Sequence, residues 1–140
     1  VGKNIAEKFA HKYYSEIGLG IDFTARDLQA ECKKNGHPWE IAKAFEGSAG
    51  ISNEFISKSE LDISNLSFSM KQNGSIVQQG SAADMIFSID TIISYISKFM
   101  TLKKGDLIYT GTPSGVGPIQ IGDTLSGYIG DGKMFDVKVK

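Results

Sequence analysis

The chain has 140 residues, 41% apolar and 22% charged, with 15 Lys and Arg against 16 Asp and Glu. That mixture suits one folded domain burying about 70% of its extended-chain surface, and it excludes a disordered segment. A net charge of −1 supplies no positive field for a nucleic-acid backbone or an anionic bilayer surface, and no apolar run approaches the ~20 residues of a membrane span. At the N-terminus, Val1-Gly2-Lys3-Asn4 does not read as a signal peptide. Asn4 is the expected cap of a first helix, with Glu7 as its reciprocal partner and Ile5, Phe9 and Tyr13 on one stripe. Residues 17–21 alternate large apolar side chains with glycine. This predicts a strand with one bare face, open to close approach by another backbone or a ligand. Asp22 closes that strand. Thr24 and Asp27 then form the expected capping pair of a second helix, which Gly36 and Pro38 end.

Further along, residues 63–77 predict a hairpin turning at Asn73-Gly74. Ser88 caps a third helix whose apolar face is Ile89, Ile92, Ile93, Ile96 and Phe99. Residues 106–109 predict a strand that runs into the loop Gly111-Thr112-Pro113-Ser114-Gly115-Val116-Gly117-Pro118. Two more strands, 124–129 and 134–139, meet at Asp131-Gly132. Short strands outnumber helices, so the expected class is α+β and β-dominated: a mixed sheet rolled into a barrel-like form with short outer helices. The 16 glycines and 3 prolines fit turns and close approaches better than a flexible linker. A lone cysteine, Cys32, cannot pair within the chain, which fits a reducing, cytoplasmic setting.

Three places offer chemistry, and each has a plain structural alternative. Asp22, Arg26, Asp27 and Gln29 sit where a strand meets a helix N-terminus. The carboxylate can bind a hard cation and the guanidinium a substrate carboxylate, or the group is a helix cap with surface ion pairs. Lys43 lies among Ile41, Ala42, Ala44 and Phe45. It is either a functional ammonium that needs a partner, or a stem packed on apolar neighbours with its head in water. The loop 110–118 lacks the Lys-Ser/Thr of a phosphate-binding loop. It is either a tight turn or a set of N–H and threonine hydroxyl donors for an anion. His11, His37 and Cys32 share no metal-ligand spacing.

Five stretches in register carry a family resemblance. They are residues 20–29 (Gly-Ile-Asp-Phe-Thr-Ala-Arg-Asp-Leu-Gln), 42–45 (Ala-Lys-Ala-Phe), Asn73-Gly74, 84–88 (Asp-Met-Ile-Phe-Ser) and 105–117, which runs through Gly111-Thr112-Pro113. Together they resemble the fumarylacetoacetate hydrolase family, and residues 31–39 point to its acylpyruvase and oxaloacetate decarboxylase subgroup. The resemblance implies Asp22 as a ligand of a catalytic Mg²⁺ or Mn²⁺ and Lys43 as the catalytic lysine beside it. It implies Arg26, Gln29 and Thr112 as substrate-binding groups, and a homodimer as the assembly. The expected activity is divalent-metal-dependent cleavage of a C–C bond in a small 2-oxo acid, an acylpyruvate or oxaloacetate. Two alternatives stand beside it: hydratase or isomerase chemistry on a related acid, and a non-catalytic module for folding or dimerisation. The family's Glu-x-Glu ligand pair and its upstream His/Glu pair have no counterpart here. Residues 1–140 are therefore expected to be the C-terminal portion of one catalytic domain, weak in metal binding and turnover by itself.

Overall fold

The computed structural model describes residues 2–140; the expected strand tail at Val1 lies outside them. In chain order the elements are α1 (Glu7–Ala10), β1 (Glu16–Ile17), β2 (Gly20–Asp22), α2 (Arg26–Asn35), α3 (Glu40–Lys43), β3 (Ala49–Ile51), β4 (Ile56–Ser57), β5 (Ser67–Gln72), β6 (Ser75–Ser81), α4 (Ile89–Ile96), β7 (Thr124–Ile129) and β8 (Gly132–Lys138). The fold is α+β and rich in strands, as expected.

The largest sheet is antiparallel, in the order β6-β5-β7-β8. Asn73 and Gly74 both take positive φ, 52° and 87°, so the β5–β6 turn has the twist that matches paired strands. Period-two alternation on β7 sends Leu125 and Ile129 inward, 0% and 6% exposed. Ser126 and Tyr128 face out, where the Ser126 hydroxyl meets Asp136 and the Lys71 ammonium sits 4.8 Å from the Tyr128 ring centre. Two antiparallel ribbons, β1–β4 and β2–β3, make up the rest of the strands.

A second packed corner joins α1 and α4. Ser88 Oγ accepts the Thr91 N–H at 3.1 Å, so the expected cap is in place. Ile93 then packs with Ile5 and Ala10, and Tyr14, Ile89, Leu102 and Ile108 close around them.

Several expectations change. Asn4 is not a cap: it has φ 54°, and its N–H goes to Ser97 O at 2.8 Å. The helix that follows is one turn long, too short to bury a three-residue stripe, and Phe9 and Tyr13 are about half exposed. The single strand over 17–21 is two strands, because Leu19 turns both its backbone groups to Ser52 and β1 and β2 pair with different partners. Thr24 gives α2 no cap bond; Ala25 holds that position. Phe99 lies past the end of α4 and is 70% exposed. Residues 106–109 form no strand, since a strand needs a backbone partner and none of the described residues lies alongside. The last hairpin turns at Gly130-Asp131, one residue early, because Ile129 pairs with Gly132. Every named pairing is antiparallel and the sheets stay open, so the described residues do not close a barrel.

The open sheets leave a measurable mark. Accessible surface is 9615 Å², against about 7,100 Å² expected of a compact monomer of this mass. Between the ribbons and the inner face of the large sheet lies a cavity of about 1610 Å³, larger than the ~300–1,000 Å³ of an ordinary ligand pocket. Ile21, Phe68, Met70, Leu125 and Val137 form part of its wall.

Candidate functional site

At the polar rim of this cavity, β2 ends on Asp22 and α3 ends on Lys43. The two elements are tied by their backbones: Ala25 N–H donates to Ala42 O at 3.1 Å, and Phe23 N–H to Ser48 O at 2.8 Å. Lys43 Nζ thereby reaches Asp22 Oδ2 and Thr24 Oγ1, each at 2.7 Å. Thr24 in turn donates to the Asp22 carbonyl at 3.3 Å. The Lys43 and Asp22 side chains are 33% and 45% exposed, so this is a screened pair open to the cavity, not a sealed structural ion pair. An ammonium has three donors. Two are used among the described residues, which leaves the third for a ligand.

Arg26, in the first turn of α2, also lines the cavity. Its Nη1 donates to Gln29 Oε1 at 2.8 Å. Gln29 itself is 5% exposed and does not line the cavity; it steadies Arg26 from beneath. Thr112 and Gly111, on the glycine-rich loop, line the same cavity. Asp22, Lys43, Arg26 and Thr112 therefore share one cavity, and Gln29 sits one layer behind.

Three further residues shape the site and were not picked out by pattern. Thr24 was read as a helix cap, but its hydroxyl serves Lys43. Tyr109 donates to Gly50 O at 2.7 Å. Its ring lies where a side chain on Gly20 would be, 2.6 Å from an ideal Cβ. That contact is why the bare face of β2 has to stay bare. Burial, and then the Asp22 carboxylate, push the Tyr109 pKa above its usual value, which keeps the phenol a protonated donor. Gln78 on β6 donates to Thr112 Oγ1 at 3.0 Å and Pro113 O at 3.1 Å.

Among the described residues no three His, Cys, Asp or Glu side chains gather to hold a metal. Asp22 offers a hard carboxylate at the cavity rim, and only one of its oxygens is taken by Lys43. Mg²⁺ and Mn²⁺ sites use one or two carboxylates with waters and substrate oxygens. The donor chemistry fits such an ion, with Asp22 as a single protein ligand.

The model of the fumarylacetoacetate hydrolase C-terminal domain matches residues 2–140. The chain belongs to that family. It is 46% identical over 140 residues to the mitochondrial oxaloacetate tautomerase FAHD1 of Mus musculus, covering 99% of this chain and 63% of the relative. A family protein of Yersinia pestis CO92 has the same fold, with TM-score 0.94 and 42% identity over 99% of this chain and 64% of the other. The fumarylpyruvate hydrolase of Pseudomonas aeruginosa, solved with Mn²⁺ and pyruvate, superposes with TM-score 0.90 at 35% identity over 99% of this chain and 59% of that one. This chain thus spans about three fifths of these family members' lengths. The family inferred from the five stretches is the family found. These relatives include both a tautomerase and a hydrolase.

Proposed function

We propose that the chain forms one wall of an enzyme site that enolises a small 2-oxo acid, an oxaloacetate-like substrate, with a divalent ion. The observation that carries this is the Asp22–Lys43–Thr24 cluster, which shares one cavity with Arg26 and Thr112. A bound Mg²⁺ or Mn²⁺ held in part by Asp22 supplies Lewis acidity toward adjacent carboxylate and 2-oxo oxygens. The rest is the chain's own work. Lys43 offers its third N–H where negative charge develops on the enolate oxygen, in a site of lowered dielectric. Gln29 fixes one end of the Arg26 guanidinium, leaving donors for a bidentate grip on a carboxylate. Thr112 holds the carboxylate from the glycine-rich loop. These contacts together set the acid's orientation.

Enolisation is the step that tautomerases and C–C cleaving relatives share, and the similarity to the mouse tautomerase favours it as the net reaction. C–C cleavage is the second reading, favoured by the similarity to the fumarylpyruvate hydrolase. Residues 1–140 are read as the C-terminal portion of one catalytic domain. The roughly three-fifths coverage, the excess accessible surface and the single carboxylate ligand support this. The additional chain would complete the barrel-like roll, and a homodimer would cover exposed Phe87, Tyr95 and Phe99. Buried free Cys32 accords with a reducing, cytoplasmic setting, and no helix among the described residues is long and apolar enough to cross a membrane.

The test uses oxaloacetate with the complete protein and Mg²⁺. Metal-dependent loss of the enol's ultraviolet absorbance without pyruvate release supports tautomerisation. Stoichiometric pyruvate selects cleavage instead. Neither signal with any 2-oxo acid tried leaves the non-catalytic module.

A further inference from the structure

The loop 111–118 has no backbone ladder, yet it is fixed to β6 in three ways. Pro113 lies over Gly80, where a Cβ would come within 2.9 Å of the Pro113 ring. Gly115, at φ +99°, approaches so closely that a Cβ there would stand 2.2 Å from Val77 O. Between these two contacts Gln78 Nε2 reaches both Thr112 Oγ1 and Pro113 O.

This last pair of bonds keeps the Thr112 proton from pointing at Gln78. A carbonyl oxygen can only accept, so Pro113 O requires the NH₂ end of the Gln78 amide to face the loop. That end has two N–H bonds, one for Pro113 O and one for Thr112 Oγ1. Thr112 Oγ1 is therefore the acceptor at 3.0 Å, and its own proton is directed elsewhere. A hydroxyl that accepts a hydrogen bond is polarised and donates a stronger one.

We infer that Gln78 is a positioning residue: by donating to Thr112 Oγ1 it commits the Thr112 hydroxyl to donate into the cavity, to the carboxylate of the 2-oxo acid. The inference rests on the reading of Thr112 as a carboxylate-holding group. Without Gln78 the hydroxyl can rotate to give its proton to a neighbouring carbonyl and meet the anion with a lone pair. Gln78 touches neither substrate nor metal in this scheme; it acts through the threonine.

The probe is pyruvate, titrated by calorimetry into the complete protein with saturating Mn²⁺. Thr112→Val should weaken pyruvate about tenfold, the value of one hydrogen bond to a charged group. Gln78→Glu should weaken it as much, because a carboxylate at that place accepts the Thr112 proton and turns it from the cavity. Gln78→Met, which removes the donor and substitutes no acceptor, should weaken it about threefold. In the Gln78 variants KM for oxaloacetate should rise in step while kcat and the Mn²⁺ dissociation constant stay near wild type. In a Thr112→Val background Gln78→Glu should add nothing. Wild-type pyruvate affinity in Gln78→Glu overturns the inference, as does an equal loss in the Thr112→Val background, which would signal plain charge repulsion or loop damage. If Gln78→Glu does not fold, Gln78→Met decides: unchanged affinity overturns the inference. Should Thr112→Val itself leave pyruvate binding intact, the carboxylate-holding role of Thr112 falls first, a result visible without any change at Gln78.

Discussion

The large sheet and the glycine-rich loop packed against its strand β6 both line the cavity, and they are held by different means. In the sheet each strand is secured by a ladder of backbone bonds, and the inward Leu125 and Ile129 of β7 are buried. The loop, by contrast, is secured by side chains: Tyr109 to Gly50 at one end and Gln78 to Thr112 and Pro113 in the middle. Backbone ladders tolerate changes in outward side chains. A segment that relies on a few side-chain contacts can be displaced by one substitution, so function should respond in the loop and stability in the sheet.

The largest effect expected is on the sheet. Leu125→Ala removes a fully buried side chain and should lower the unfolding free energy by about 2–5 kcal/mol in a denaturant titration. A loss under about 0.5 kcal/mol would mean the inner face is already too open to notice the change. At the site, Lys43→Met should cut turnover about 10²-fold or more. Its half-exposed ion pair contributes under about 1 kcal/mol to folding, so the thermal midpoint should barely move. Turnover that survives would remove Lys43 from the chemistry.

For the loop, Tyr109→Phe deletes the bond to Gly50 O and keeps the ring on Gly20. A single hydrogen bond contributes about 1 kcal/mol, so pyruvate should bind about fivefold more weakly while the sheet's denaturant midpoint stays put. Equal weakening of both would erase the distinction between the two regions.

The smallest effect is one of pH. Asp123 joins the loop's end to the hairpin turn, accepting from Asn73, the Gln120 N–H and Gln72, and these bonds hold its pKa below the usual carboxylate value. A depressed folded-state pKa adds stability above the unfolded value near ~3.9 and loses it as pH falls through the folded value. Thermal midpoints should therefore drop with acidification below about pH 4, and Asp123→Asn should shallow that slope without abolishing it, because Asp136 is depressed by Lys133 and Ser126 in the same window. An unchanged slope in the variant would take Asp123 out of the acid response.

Local signals foretold the local structure. Asn73-Gly74, the Ser88 cap, the end of α2 at Gly36 and the β7–β8 hairpin each depend on residues a few positions apart, and all four are present. What pattern missed depends on distant partners. Thr24 looked like a cap because nothing nearby showed that Lys43, 19 residues away, would take its hydroxyl. Tyr109 looked like a strand residue because its bond crosses 59 positions to Gly50. The apolar run Leu107, Ile108 and Tyr109 was real, but a ladder needs a neighbour that composition cannot supply. Asp22 and Lys43 were each singled out from the sequence as a place for chemistry, while their direct contact became visible only once β2 and α3 were docked.

The most direct test is a crystal structure of the complete protein with Mn²⁺ and pyruvate, the ion located by its anomalous signal. The account places the ion on the free oxygen of Asp22, with the pyruvate carboxylate against Thr112 and the Lys43 ammonium beside the 2-oxo oxygen. An ion bound away from Asp22, or pyruvate outside the cavity between β2 and the glycine-rich loop, would contradict it.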